Sequence, residues 1–309
     1  MKTILTFLCI GLLHLSAQET IVQEISMSNG PIEIPGELTY PKTGKKIPLL
    51  IFVHGSGNAD RNGNQADLIK SNHIKQLADS INAKGIAFYR FDKRTSNLNN
   101  RPHLKNPRFG DLVDDVQLVI TKFENDDRFS SIHIAGHSQG SLVAMLAVSP
   151  SLSSYISIAG IGTTVDKALI RQTTAQNSDV GKVVESHIRE LMETDTIREV
   201  NPFLMALFAP YTQKYLKSWI VKNPSKILAD LDLPILIIQG DSDSQVTVND
   251  AKILHEANNA SELVIIPKMN HVLKTVDNNT EDTASYTNPK FPLSTALVTS
   301  IVEFIRTHG

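Results

Sequence analysis

The chain has 309 residues, of which 41% are hydrophobic and 20% charged, and its formal net charge is −2 at pH 7. This length suits one large α/β domain with room for an insertion. The near-neutral charge and the scattered charged positions argue against nucleic acid as a partner. The only cysteine, Cys9, lies near the N-terminus, so the remaining chain cannot form disulfides or use cysteine chemistry.

Residues 1–18 have the pattern of a signal peptide. Lys2 precedes an apolar run over 4–15, and the small residues Ser16 and Ala17 follow it. The run is too short to span a membrane comfortably, and polar sequence comes next. We therefore expect cleavage after this segment, no stable membrane anchor, and an exported protein in the periplasm or exterior of a bacterium.

Hydrophobic periodicity predicts that strands and helices alternate along most of the chain. Strands are expected within 20–40 (two, joined by a turn at Asn29–Pro31), and at 48–54, 86–91, 132–136, 155–159, 234–239 and 262–266. Helices are expected at 66–84, 110–124 and 293–307. This alternation favours an α/β fold, with a mostly parallel sheet covered by helices on both faces.

The segment 132–140 reads Ile-His-Ile-Ala-Gly-His-Ser-Gln-Gly, an apolar run that ends in G-x-S-x-G. The pattern predicts a buried strand, a sharp turn with Ser138 at its apex, and a helix that begins at once. Gly136 and Gly140 leave room for this tight passage. A Gly/Ser turn without chemistry is the alternative, and the apolar segments on both sides favour a nucleophilic Ser138.

A serine hydroxyl needs a base, an orienting acid and donors for the developing oxyanion. The strand expected at 234–239 is followed by Asp241 and Asp243, and the strand at 262–266 by His271. Open α/β sheets place their chemistry at the carboxyl ends of strands. We therefore expect Ser138, one of the two aspartates and His271 to meet there, although each alone is an ordinary turn or loop residue.

A glycine-rich turn, His54-Gly55-Ser56-Gly57, follows another buried strand. Such a turn exposes backbone N–H groups, and the N–H groups of Ser56 and Gln139 are the expected oxyanion donors. Binding of a phosphate is the alternative, but the motifs typical of phosphate-binding loops are missing from the sequence. No H-E-x-x-H motif or close His/Asp cluster is present either, so no metal and no cofactor are predicted.

Taken together, these segments resemble the α/β-hydrolase superfamily and, more narrowly, bacterial secreted or periplasmic serine esterases. The resemblance rests on HGSG-x-x-DR at 54–61, [RY]-x-D-x-R at 90–94, GHS-x-G at 136–140, G-x-x-D-x-x-V at 240–246 and NH-x-x-K at 270–274. It implies an α/β-hydrolase fold and selects Asp243 over Asp241 as the acid. After Arg94 the chain departs from its relatives, which commonly continue with Gly-x-Gly-x-Ser.

The alternation of strands and helices stops over 163–223, where only helical patterns are found. The superfamily commonly inserts a lid here, so we expect a helical lid at 163–223 on a catalytic core formed by 19–162 and 224–309. The candidates to line an acyl pocket, with core packing as the alternative, are Phe203, Phe208, Tyr211 and Trp219.

The resulting hypothesis is a serine hydrolase that cleaves small-molecule carboxylic esters, with short acyl chains, through Ser138, His271 and Asp243. The same residues also fit a serine peptidase, a thioesterase or an acyltransferase. A non-catalytic binding protein on the same fold is a further alternative. Within the loops, Asp60 with Arg61 and Asp92 with Arg94 are candidate ion pairs, or else solvated turns. The sequence does not indicate an oligomeric state.

Overall fold

The computed structural model describes residues 19–66 and 68–309. The predicted signal peptide lies outside these residues. The described residues contain eight strands in one sheet, in the order β1-β2-β4-β3-β5-β6-β7-β8. The strands are β1 Thr20–Asn29, β2 Ile32–Pro41, β3 Ile47–Val53, β4 Ala87–Phe91, β5 Phe129–His137, β6 Ser154–Ile158, β7 Ile235–Gly240 and β8 Glu262–Ile266.

Eleven α-helices and two short 3₁₀ turns, Leu98–His103 and Pro202–Leu204, lie in the same part of the chain. The helices are α1 His73–Asn82, α2 Gly110–Phe123, α3 Gln139–Leu146, α4 Val165–Gln176, α5 Ser178–Thr194, α6 Met205–Phe208, α7 Gln213–Ile220, α8 Pro224–Ala229, α9 Val248–Ala257, α10 Asn279–Ser285 and α11 Thr295–Thr307. Within the described residues, none of these helices has the length and apolar character needed to cross a membrane.

The sheet is parallel from β4 through β3 and β5 to β8, while β1 and β2 are antiparallel to their neighbours. Apolar runs such as those of β3 and β7 are buried on both faces, as parallel strands covered by helices require. Gly136 pairs with Val53 and Gly240 with Ile266, so the carboxyl ends of these strands are level. The loops that follow them therefore meet at one edge.

Two hydrophobic clusters cover the two faces of the sheet. Helices α1 and α11 pack on one face, and α2, α3, α8 and α9 on the other. A third cluster belongs to the segment between β6 and β7, where α4, α5 and α7 pack on one another around Phe208 and Leu191. The helices expected at 163–223 are thus present with a core of their own, and the domain boundaries and a lid role stay predictions.

One predicted helix differs in its start. A helix was expected over 66–84, but α1 begins only at His73. Asn72 has a left-handed backbone with φ 50°, and its side chain and backbone N–H bond the side chain of Asn64. Leu68, expected on the buried face, is instead 77% exposed. Apolar spacing alone cannot detect this loop, because side-chain contacts with Asn64 hold it.

Candidate active site

Ser138 occupies a strained turn between β5 and α3. Its backbone has φ 54° and ψ −122°, and its N–H donates to the carbonyl of Ile158 at 2.9 Å. A Cβ added at Gly136 would lie 2.2 Å from the Gly140 carbonyl oxygen, and one at Gly140 would lie 2.2 Å from that of Val53. Only glycine fits at both positions, so the two glycines allow the turn that presents Ser138.

His271 and Asp243 form a buried hydrogen-bonded pair. His271 Nδ1 lies 2.8 Å from Asp243 Oδ2, and since a carboxylate only accepts, Nδ1 carries a proton; in the neutral imidazole, Nε2 then keeps its lone pair. Asp243 Oδ1 accepts the backbone N–H groups of Gln245 at 2.8 Å and Val246 at 2.9 Å. Asp241 instead binds the backbone N–H of Lys268. Of the two candidate acids, only Asp243 contacts His271.

The environment of Asp243 keeps it ionised. Burial opposes ionisation and would raise the pKa of Asp243. The attraction of His271 and the hydrogen bonds from His271, Val246 and Gln245 outweigh burial, so the pKa lies below its usual range. A carboxylate in this position holds the imidazole in one orientation and stabilises a positive charge on it.

Ser138 and His271 line the same small cavity of about 90 Å³. Among the contacts of the described residues there is no hydrogen bond between the Ser138 hydroxyl and the imidazole, so the two side chains are neighbours without being bonded. Long or poorly aligned contacts of this kind are common in ligand-free catalytic sites and shorten when substrate binds. The arrangement places a base with a free Nε2 beside an accessible hydroxyl.

Three further histidines surround this cavity: His54, His73 and His137. Burial lowers the pKa of His54 to about 4 and that of His137 to about 3, and it also lowers the pKa of His73 well below its usual value. These rings are neutral at pH 7 and add no positive charge that would compete with His271. His137 Nε2 lies 2.8 Å from the carbonyl oxygen of His271 and donates to it, a positioning contact that the sequence did not reveal.

The two predicted oxyanion donors lie on neighbouring elements. Gln139 is the first residue of α3, where backbone N–H groups have no partner inside the helix. Ser56 follows β3 and lines the cavity beside Ser138. Its carbonyl accepts the side-chain amide of Gln65 at 2.8 Å, which helps to fix the turn. The positions agree with the expected roles of Ser56 and Gln139, which stay predictions.

The loop aspartates and arginines pair differently from the expectation. Arg61 binds Asp92 through Nε and Nη2, each at 3.0 Å from a carboxylate oxygen, and not Asp60. Arg94 makes two hydrogen bonds, of 2.7 and 2.6 Å, to Asp115 on α2. Each arginine thus braces its loop against a more distant segment of the chain.

A larger cavity of about 640 Å³ opens on the other side of Ser138, between the core and the helices after β6. Tyr211 and Trp219 line it, and Trp219 stacks on Phe109 with ring centroids 5.3 Å apart. Phe203 and Phe208 are not at this cavity. Phe203 is 95% exposed, and Phe208 is fully buried with its ring against His187, because it belongs to the core of the helical segment.

Potential metal ligands do not gather anywhere in the described residues: no group of three or more His, Cys, Asp or Glu side chains is placed to hold an ion.

Comparisons with known proteins concern the fold and the family of the chain. Esterase EstD of Thermotoga maritima is 26% identical over 246 residues, which are 78% of this chain and 58% of that protein. The chain therefore matches little more than half the length of this curated relative. Among solved structures, Est1E from Butyrivibrio proteoclasticus superposes with a TM-score of 0.60 at 18% identity, covering 92% of this chain and 98% of that one.

The acylaminoacyl peptidase of Pyrococcus horikoshii superposes with a TM-score of 0.55 at 16% identity, covering 95% of this chain and 42% of that one. At such identities these structures establish the fold alone, and that fold is the α/β-hydrolase fold expected from the sequence. The model of the serine aminopeptidase S33 family matches residues 69–227, which is just over half of the 309 residues. The chain belongs to this family of α/β hydrolases.

Proposed function

We propose that the protein is a serine carboxylesterase in which Ser138, His271 and Asp243 act as nucleophile, base and orienting acid. The observation that carries the proposal is the buried His271–Asp243 pair, 2.8 Å apart, beside a strained Ser138. All three residues follow carboxyl ends of parallel strands. The name of the partial relative, Esterase EstD, supports ester cleavage as the reaction.

The reaction proceeds in two steps. His271 Nε2 takes the proton of Ser138 as the hydroxyl oxygen attacks the ester carbonyl, and Asp243 stabilises the imidazolium that forms. The N–H groups of Gln139 and Ser56 donate to the tetrahedral oxyanion. His271 then returns the proton to the leaving alcohol, and the same base activates the water that hydrolyses the acyl-enzyme.

The proposal is tested with Ser138→Ala and with Ser149→Ala, a matched control at a half-buried serine that lies after α3, lines neither cavity and contacts the Ser151 hydroxyl. Hydrolysis of p-nitrophenyl acetate and labelling by a fluorophosphonate are measured on both. We expect Ser138→Ala to lose labelling and at least about 10⁴-fold in kcat, and Ser149→Ala to match the wild type. Retention of most activity by folded Ser138→Ala would overturn the mechanism.

The preference for short acyl chains is the finer part of the proposal. Two cavities of unequal size, about 90 and 640 Å³, meet at Ser138, so one part of the ester is restricted to few atoms. A short acyl group in the small cavity leaves the larger cavity to the alcohol. The opposite placement has the alcohol in the small cavity and the acyl group in the larger one. It would follow if the leaving oxygen had to lie close to His271, which lines the small cavity.

Two ester series separate these placements. One varies acyl length at constant alcohol, from acetate to octanoate, and the other varies the alcohol at constant acyl group, from methyl to octyl. If the enzyme prefers short acyl chains, kcat/KM falls as the acyl chain lengthens in the first series. It changes little as the alcohol lengthens in the second series. If instead kcat/KM rises with acyl length and only methyl esters are hydrolysed, the short-acyl preference is contradicted. The esterase mechanism would remain intact.

A second candidate, an aminopeptidase, is supported by the description of the matching family as serine aminopeptidases. The same nucleophile cleaves amides if the leaving amine is protonated by His271. Aminoacyl-p-nitroanilides measured beside p-nitrophenyl esters decide the matter. For an esterase, we expect the ratio of kcat/KM for the esters to kcat/KM for the anilides to exceed the ratio of their uncatalysed reactivities.

Export is also proposed, and it depends on residues 1–18 alone. The support is the charged, apolar and small-residue order of that segment. Expression in a Gram-negative host, followed by fractionation and N-terminal sequencing, tests it. We expect the processed protein in the periplasm or medium, and an unprocessed protein confined to the cytoplasm would contradict export.

A further inference from the structure

Lys93 is a buried lysine in the loop after β4. The residue is only 6% exposed. Its Nζ donates to the carbonyl oxygen of Gly55 at 2.8 Å and to Gln139 Oε1 at 2.6 Å. Its backbone is fixed as well, since its N–H donates to the Ala59 carbonyl and its own carbonyl accepts the Ser96 hydroxyl. Within the described ranges, no carboxylate pairs with its ammonium group.

The two acceptors of Lys93 belong to the two halves of the predicted oxyanion hole. The carbonyl of Gly55 and the N–H of Ser56 are parts of one peptide unit, so a cation on the oxygen polarises the unit and strengthens its N–H as a donor. Gln139 supplies the other predicted N–H. One ammonium group therefore connects the Gly55–Ser56 peptide with the side chain of Gln139, the residue that carries the second donor.

The network continues to the helices over the larger cavity. Gln139 Nε2 donates to Tyr215 Oη at 2.8 Å, and Tyr215 lies on α7. Burial raises the pKa of Tyr215, so its hydroxyl is uncharged at working pH. The path from Gly55 through Lys93 and Gln139 to Tyr215 links the oxyanion loop, the helix after the nucleophile and the covering helices.

A buried ammonium without a counter-ion is costly, and burial lowers the pKa of Lys93 to about 7. The other titratable groups around Lys93 are neutral or already paired at pH 7. They are His54 with its pKa near 4, the neutral Tyr215, Asp92 bound to Arg61, and Arg94 bound to Asp115. The negative charge that would best compensate Lys93 is thus the one that appears on the substrate during the reaction.

We propose that Lys93 is a positioning residue of the oxyanion hole: it holds the Gly55–Ser56 peptide and Gln139 in place and stabilises the oxyanion through them. The inference rests on the proposed serine mechanism. Lys93 is expected to stabilise the transition state, in which the oxyanion develops. It is not expected to strengthen the binding of the ester itself, which is neutral.

The test compares Lys93→Met, which keeps the length and apolar stem, with Lys105→Met, which removes an exposed lysine charge. We expect Lys93→Met to lower kcat for p-nitrophenyl acetate about 10- to 100-fold, less than the ~10²–10³ for a lost direct donor, with KM nearly unchanged. Affinity for a trifluoromethyl ketone, which forms a tetrahedral oxyanion on Ser138, falls by a similar factor. Lys105→Met behaves as the wild type.

The pH profile separates this role from a structural one. In the wild type, kcat declines at pH 7 or above as Lys93 loses its proton, and this limb disappears in Lys93→Met. Measurement on the wild type alone keeps the test valid if the variant fails to fold: a profile without such a limb overturns the inference. Folded Lys93→Met with unchanged kcat, or with a raised KM as its only defect, also overturns it.

The two proposals fail separately. If Ser138→Ala retains activity, the serine mechanism itself is wrong. If Ser138→Ala is inactive but Lys93→Met matches the wild type in kcat and in ketone affinity, the mechanism stands and only the role of Lys93 is refuted.

Discussion

Acidification should destabilise this protein steeply, and His133 allows the effect to be measured at one residue. His133 is fully buried in β5, with Nδ1 2.7 Å from the Ser154 hydroxyl and Nε2 2.9 Å from that of Ser131. Burial, reinforced by the nearby His308, lowers its pKa from 6.5 to about 4. Between these values the unfolded chain holds a proton that the folded protein lacks, so stability falls as pH falls.

The magnitude follows from the size of this window. Well inside the window each pH unit costs about 1.4 kcal/mol, and at its upper edge less, so lowering the pH from 7 to 5 removes about 2 kcal/mol through His133 alone. Urea unfolding at pH 7 and pH 5 measures the loss in the wild type and in His133→Gln. The other buried histidines are common to both proteins, so their contributions cancel.

We expect His133→Gln to be less stable than the wild type at pH 7 but to lose about 2 kcal/mol less on going to pH 5. Equal losses in the two proteins would refute the reasoning, because they would show that His133 takes up no extra proton on unfolding. A larger loss in the variant would refute it as well.

Two further predictions concern the candidate site. Asp243→Asn should retain the fold and lower kcat about 10⁴-fold, because an amide can hold His271 in the wrong tautomer; thermal unfolding and ester hydrolysis measure the two effects, and a fall below tenfold would exclude Asp243 as the orienting acid. Gly136→Ala should lose fluorophosphonate labelling, because its Cβ would lie 2.2 Å from the Gly140 carbonyl oxygen, and labelling at the wild-type rate would show that the turn tolerates a side chain.

The parallel part of the sheet was largely predictable, because strands such as β3 are mostly apolar. A strand was expected at 234–239 around the apolar run 235–238, and the structure contains β7 at Ile235–Gly240. Helices with weak apolar spacing were missed. The helix α9 is an example: it begins at a capping box of Thr247 and Asp250. This signal is present in the sequence, but a prediction based on the spacing of apolar residues does not consider it.

At the site, the rule that chemistry follows strand ends brought Ser138, His271 and one of two aspartates to one edge, and the resemblance to serine esterases selected Asp243. The contacts of Lys93 were not predictable in this way. Its partners Gly55 and Gln139 are 38 and 46 residues away in sequence, and a lysine between Asp92 and Arg94 resembles a solvated turn residue. Only the packing of the loops reveals that its side chain points inward.

Trp219 gives the protein a natural optical reporter. It is the single tryptophan of the chain, lies at the larger cavity and stacks on Phe109. Intrinsic fluorescence excited at the indole band therefore originates at one known place, in the lining of a cavity that Ser138 also lines. Changes in emission intensity or quenching by an added analogue of the alcohol would report occupancy of that cavity directly, without an attached dye and before any bond is cleaved.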